Sequence, residues 1–280
     1  MNRPVIHHRD HEHGGTDPIL YEWEDAPDAS LFIGSSRYGS GSSLTSYTVP
    51  KPTYCQPGDL ILSAMVLNER SYGWSALLYN NGGYETFTDL FTDGYMEAAP
   101  PGTKKMYIVD EPSAPTSGTK FFVWVGWKFA DSGDLTGSYT ANVKDGAPAG
   151  VHGSDRIVTD FVVYRGPTGI DGYTHQITTD ATGSLTTCSC PAITPTGRPA
   201  EGPFSFTSGA GGTNIEVGVT VAVTPLGTIP TILCAAISEL GPAGQWNTVS
   251  PLVRRDSAWT NQPGSGSDDF LAWGERIGAT

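Results

Sequence analysis

Apolar positions along this chain come in short runs, some alternating with polar residues and some continuous, each cut off by glycine, proline or asparagine. That spacing predicts strands and turns. The clearest alternation sets Ile215, Val217, Val219, Val221 and Val223 against Glu216, Gly218, Thr220 and Ala222, which predicts a strand with one face in a core and the other in water. Residues 60–67, launched by Pro57-Gly58-Asp59, are almost wholly apolar and predict a central strand. Residues 121–129 set Phe121, Val123, Val125, Trp127 and Phe129 against Phe122, Trp124, Gly126 and Lys128, so both faces are largely apolar. Further strands are expected at 157–163, 231–238 and 270–273, with shorter ones at 75–79 and 105–109. Residues 84–96 show no period and read as loop, and the glycine- and serine-rich residues 34–46 read as a hinge or a long exposed loop. No window has a convincing helical period. The expectation is an all-β protein of roughly ten to twelve strands, a β-sandwich or jelly-roll-like body. It spans residues 28–280, behind a short extended N-terminal segment at 1–27 in which residues 19–27 alternate apolar and acidic side chains.

Composition sharpens this picture. With 35 glycines and 21 prolines among 280 residues and only 16% charged side chains, many short strands joined by tight turns fit better than helices. A net charge of -13, with no run of Lys or Arg, argues against nucleic acid as a partner. Residues 1–18 are polar, so no secretory signal is expected, and the longest apolar runs are far too short to enter a membrane as a spanning helix. The chain therefore reads as made in a cytosol. Cys55, Cys188, Cys190 and Cys234 are too sparse for a disulfide framework and sit in apolar, strand-like surroundings, as small buried hydrophobes kept reduced would.

One stretch stands apart. Residues 7–18 hold His7, His8, His11 and His13, four of the six histidines, with almost no apolar content. Such a segment is a poor core element and a good one for meeting a partner. His11-x-His13-Gly14-Gly15-x-Asp17-Pro18 resembles the N-terminal motif of minor tail and fibre-type virion proteins from tailed phages of actinobacteria. Pro57-Gly58-Asp59-Leu60, Gly73-Trp74 and Tyr164-Arg165-Gly166 are similar to segments of a β-sandwich module carried by phage proteins. The resemblance implies a virion protein attached through His7, His8, His11, His13, Gly14, Gly15, Asp17 and Pro18, with its body outward. It also implies other virion proteins as partners, at the tail hub, the baseplate or the capsid, and a homotrimeric state.

Candidate chemistry adds little to this. His11 and His13, two residues apart, would lie on the same side of an extended segment, and one chain would supply only two metal ligands. Shared around a trimer axis they could complete a structural transition-metal site; a polar loop shaped by Gly14-Gly15 and the Asp17-Pro18 turn is the simpler reading, and no other cofactor is expected. The chain has no G-x-S-x-G, H-E-x-x-H, phosphate-binding glycine loop or C-x-x-C, so no enzyme is expected and no catalytic residue is assigned. Asp131, Asp134, Glu239, Asp268 and Asp269 are the carboxylates that a calcium loop or a glycan hydrolase would draw on. Tyr72, Tyr79, Tyr84, Trp246 and Trp259 lie beside small polar residues, where they read as contacts to a host cell-surface glycan or to a neighbouring protein. A capsid decoration or head-fibre protein and a carbohydrate-binding receptor module are the rival functions.

Overall fold

The computed structural model describes residues 31–40, 46–69, 76–78, 86–90, 107–110, 120–145, 156–209, 212–225, 231–240, 246–259 and 268–276. Antiparallel strands dominate them, and no α-helix occurs among the described residues.

The strands fall into two consecutive halves of the chain. In the first, an inner sheet runs β1 (Leu31–Ser40), β9 (Arg156–Arg165), β3 (Leu60–Glu69), β7 (Lys120–Phe129), with β5 (Thr88–Asp89) and β6 (Tyr107–Asp110) both on β7. A smaller outer sheet orders β2 (Ser46–Pro50), β8 (Ser138–Asp145) and β4 (Ala76–Leu78). The pairs β1·β9, β2·β8 and β3·β7 are nested, and β9·β3 and β8·β4 close the wrap. This is the order of a jelly roll, a long ribbon folded over on itself. In the second half an inner sheet orders β10 (Pro167–Thr179), β13 (Ile215–Pro225), β14 (Thr231–Leu240), β17 (Asp268–Arg276) and β16 (Leu252–Trp259). Its outer sheet is β11 (Thr187–Cys190), β12 (Phe204–Ser208) and β15 (Trp246–Thr248).

Four layers result, with three apolar interiors between them. The central one joins the halves: Leu62, Ala64, Val66, Val123, Val125, Val158 and Val162 of the first inner sheet pack on Val217, Val219, Val221, Leu233, Ala235, Ile237 and Leu271 of the second. On the far side of the first inner sheet, Ile61, Met65, Phe122, Trp124 and Phe161 meet Tyr47, Val49, Phe87 and Tyr139. On the far side of the second, Ala222, Ile232, Cys234 and Ala236 meet Cys188, Cys190, Phe204, Phe206 and Trp246. Both inner sheets are thus apolar on both faces. This is why β3 and β7 read as continuous apolar runs.

Three expectations need correction. The 215–223 strand is not half-solvated: Glu216, Gly218, Thr220 and Ala222 are all buried, because the outer sheet covers that face. The presumed hinge at 34–46 begins as strand, since a ladder to β9 from Leu31 through Ser40 overrides the low strand propensity of glycine and serine. The loop expected at 84–96 contributes β5, which pairs Thr88 with Trp127.

Candidate functional site

Two of the three motif segments after the N-terminal head meet in space, 57–60 and 164–166, while Gly73-Trp74 lies outside the described residues. Pro57-Gly58-Asp59 is a turn into β3, with Gly58 in the left-handed region (φ 91°), and it closes as Asp59 N–H donates to the Gln56 carbonyl. The Asp59 carboxylate, 3% exposed, accepts from Gln56 N–H at 2.7 Å and takes both arms of the Arg165 guanidinium at 2.9 Å each. Arg165 also donates to the Tyr54 carbonyl. The start of β3 and the end of β9 are therefore locked by one bidentate ion pair. Tyr54 sits on this clamped turn with φ 68° and is 82% exposed, the most exposed large aromatic among the described residues. Its backbone is held by Arg165 while its ring faces water.

Asp131 and Asp134, candidates for a calcium loop, are engaged by a lysine. Lys128 Nζ lies 2.7 Å from Asp134 and 3.2 Å from Asp131, and Tyr139 donates to Asp134 at 2.8 Å. Asp131 caps a one-turn 3-10 helix at Ser132–Asp134 by accepting from Gly133 N–H, and that bond, with Lys128 beside it, holds its carboxyl below the usual range. The ammonium fills the place a cation would take. No group of three or more metal-ligating side chains occurs among the described residues.

The aromatic candidates divide. Trp246 is fully buried and donates to Ser238 at 2.8 Å, so the surface-contact expectation does not extend to it. Trp259 is the last residue of β16. Tyr72, Tyr79 and Tyr84 lie outside the described residues, as do His7, His8, His11, His13, Gly14, Gly15, Asp17 and Pro18, and with them the proposed metal pair. All four cysteines are buried free thiols, and burial pushes Cys188 and Cys190 well above their ordinary range.

Two polar groups that pattern reading overlooked lie where the halves meet. A bulge between Arg254 and Asp256 makes Arg255 an extra residue, so Arg255 and Asp256 both turn toward the first half. Arg255 donates to Glu275 at 2.7 Å and covers the Phe32 ring at 5.2 Å, while the buried Tyr164 hydroxyl donates to Glu275. Further along, Arg37 of β1 reaches Asp256 at 2.9 Å and the Ser257 carbonyl at 2.7 Å, next to the wholly buried Asp160 of β9. An aspartate inside the apolar run 157–163 was the signal available for it.

A further buried carboxyl lies outside the seam. Glu216 is 3% exposed beneath the second outer sheet, and burial raises its pKa from 4.5 to about 7, opposed by a hydrogen bond from Thr178. A carboxyl raised in this way holds its proton in the folded state between pH 4.5 and 7 and loses it in the unfolded chain, so stability falls as pH rises through that window. Glu216→Gln is expected to remove this slope and to raise stability at pH 8 by on the order of 2 kcal/mol, measured by urea unfolding from pH 5 to 8.

Comparison of the chain with family models, with curated proteins and with solved structures returned no match.

Proposed function

We propose that this chain is a structural protein of a bacteriophage virion, a minor tail or fibre-type component held to the particle by residues 1–27 with its β body facing outward. The observation that carries the reading is His11-x-His13-Gly14-Gly15-x-Asp17-Pro18 ahead of an all-β body. The Asp59–Arg165 clamp supports it, because it joins two of the other segments that resemble the phage module. Four stacked layers make the body a stiff spacer, which suits an appendage exposed to shear. Appendages sit on symmetric platforms, so the working state is a homotrimer, its partners the tail hub or baseplate, and its place the virion. Tyr54, presented on a clamped turn, favours a second role for the same body, contact with a host-surface glycan.

Particles assembled in host cells that supply only a chain lacking residues 1–27 are expected to contain none of it. The truncated body should still show a cooperative β-sheet unfolding transition by circular dichroism. Incorporation of the truncated chain at the full-length level would overturn the attachment role, and imaging of the labelled full-length chain on the capsid instead of the tail would move it to a decoration protein.

A further inference from the structure

The seam between the two halves contains a carboxyl that its surroundings cannot accept as a charge. Asp160 is fully buried in the central interior, opposite Ala64 on β3 and Arg37 on β1. Neither of its carboxyl oxygens meets an N–H or O–H donor of the protein in hydrogen-bonding geometry. The acid that bears on it is Asp256, reaching across from β16, whose Oδ1 is already taken by Arg37 at 2.9 Å and by Ser257 N–H at 2.7 Å. Two carboxyls facing each other offer only acceptors, so a bond between them requires one proton.

We propose that Asp160 and Asp256 share a single proton and form a latch between β9 of the first half and β16 of the second, closed while the proton is present and released as pH rises. The charged and titratable groups around the pair are Arg37 from β1, Arg255 from β16, Glu275 from β17 and Tyr164 from β9 itself, whereas β3 presents only Leu62, Ala64 and Val66. Arg37 anchors Asp256 as the charged member, which leaves Asp160 as the neutral one. Burial, then the Asp256 charge, raises the Asp160 carboxyl, and Arg37 opposes them; the Phe161 amide, out of hydrogen-bonding geometry, offsets least of these. Arg37 is half-exposed, at 51% of its side chain, so the cluster lies one residue from water and its proton can exchange without global unfolding. The folded state holds this proton and the unfolded chain gives it up, so the latch stabilises at low pH and weakens toward high pH.

The test is hydrogen exchange by mass spectrometry on the full chain between pH 6 and 9, corrected for the intrinsic exchange rate. Protection of β1 and β16 is expected to fall at least tenfold more than that of β13 and β14. In Asp160→Asn, whose amide donates to Asp256 without a titrating proton, protection of all four strands should change in parallel. Asp256→Asn, which offers the same amide from the other side, serves if the first variant folds poorly. Infrared difference spectra of the wild-type chain against either variant should show a protonated carboxyl at pH 7. Absence of that band, or equal pH dependence of β1 and β16 in wild type and variant, would overturn the latch.

Discussion

Gly218→Ala is expected to destabilise the protein by about 3 kcal/mol, near the upper end of what overpacking costs, and to lower its melting temperature by roughly 5 °C for a chain of this size. The reason is a contact between backbones. A Cβ on Gly218 would stand 1.9 Å from the Ser189 carbonyl oxygen, 2.6 Å from its carbon and 3.0 Å from the Cys190 nitrogen. None of these atoms can swing aside as a side chain would. Relief requires lifting β11 off β13, which pulls Cys188 and Cys190 out of the interior they share with Cys234, Phe206 and Trp246. Gly169→Ala is the control, since nothing lies within 4 Å of a Cβ there, and it is expected to leave the melting temperature within about 2 °C. Differential scanning calorimetry of the two variants checks both, and equal melting temperatures would refute the close-approach argument.

Arg165→Ala is expected to cost about 3 kcal/mol, more than Asp59→Ala, although both break the same ion pair. The asymmetry follows from exposure: the Arg165 side chain is 40% exposed and the Asp59 side chain 4%. Stripped of its partner, Arg165 can turn to water. Asp59 cannot, and would keep only the Gln56 N–H at 2.7 Å for a buried charge. Urea unfolding of both variants at pH 7 measures the difference, and a larger loss for Asp59→Ala would contradict it.

These two sites also mark how far the sequence can be read. The alternation from Ile215 to Val223 was visible as period two and lies in β13 as expected, because local chemistry sets which residues share a face. What covers the other face was not visible, since it depends on β11 arriving from outside that window and on Gly218 leaving room for it. Glu216 and Thr220 looked solvated for the same reason. Pro57-Gly58-Asp59 could be read as a turn, yet its partner Arg165 lies over a hundred positions away. Asp160 interrupts an apolar strand and could have been flagged, but its meaning comes from Asp256, which a bulge in a different sheet aims at it. Trp246 illustrates the reverse error: polar neighbours in the chain suggested exposure, while Ser238, on another strand, receives its N–H in the interior. The head at residues 7–18 carries its signal wholly in local composition and lies outside the described residues.

The division of the chain into consecutive halves bears on how it is made. Every strand of the first two sheets precedes Gly166 and every strand of the other two follows it. As the chain leaves a ribosome, the first half can complete its nested pairs alone. The face formed by Leu62, Val66, Val125 and Val162 then waits for roughly a hundred further residues to cover it, on the order of ten seconds at ordinary rates of synthesis. During that interval the nascent protein presents a flat, wet, aliphatic sheet to every neighbouring chain on the same messenger. Slow codons in the second half would lengthen the exposure, and a chaperone that binds extended apolar surface would find its target there.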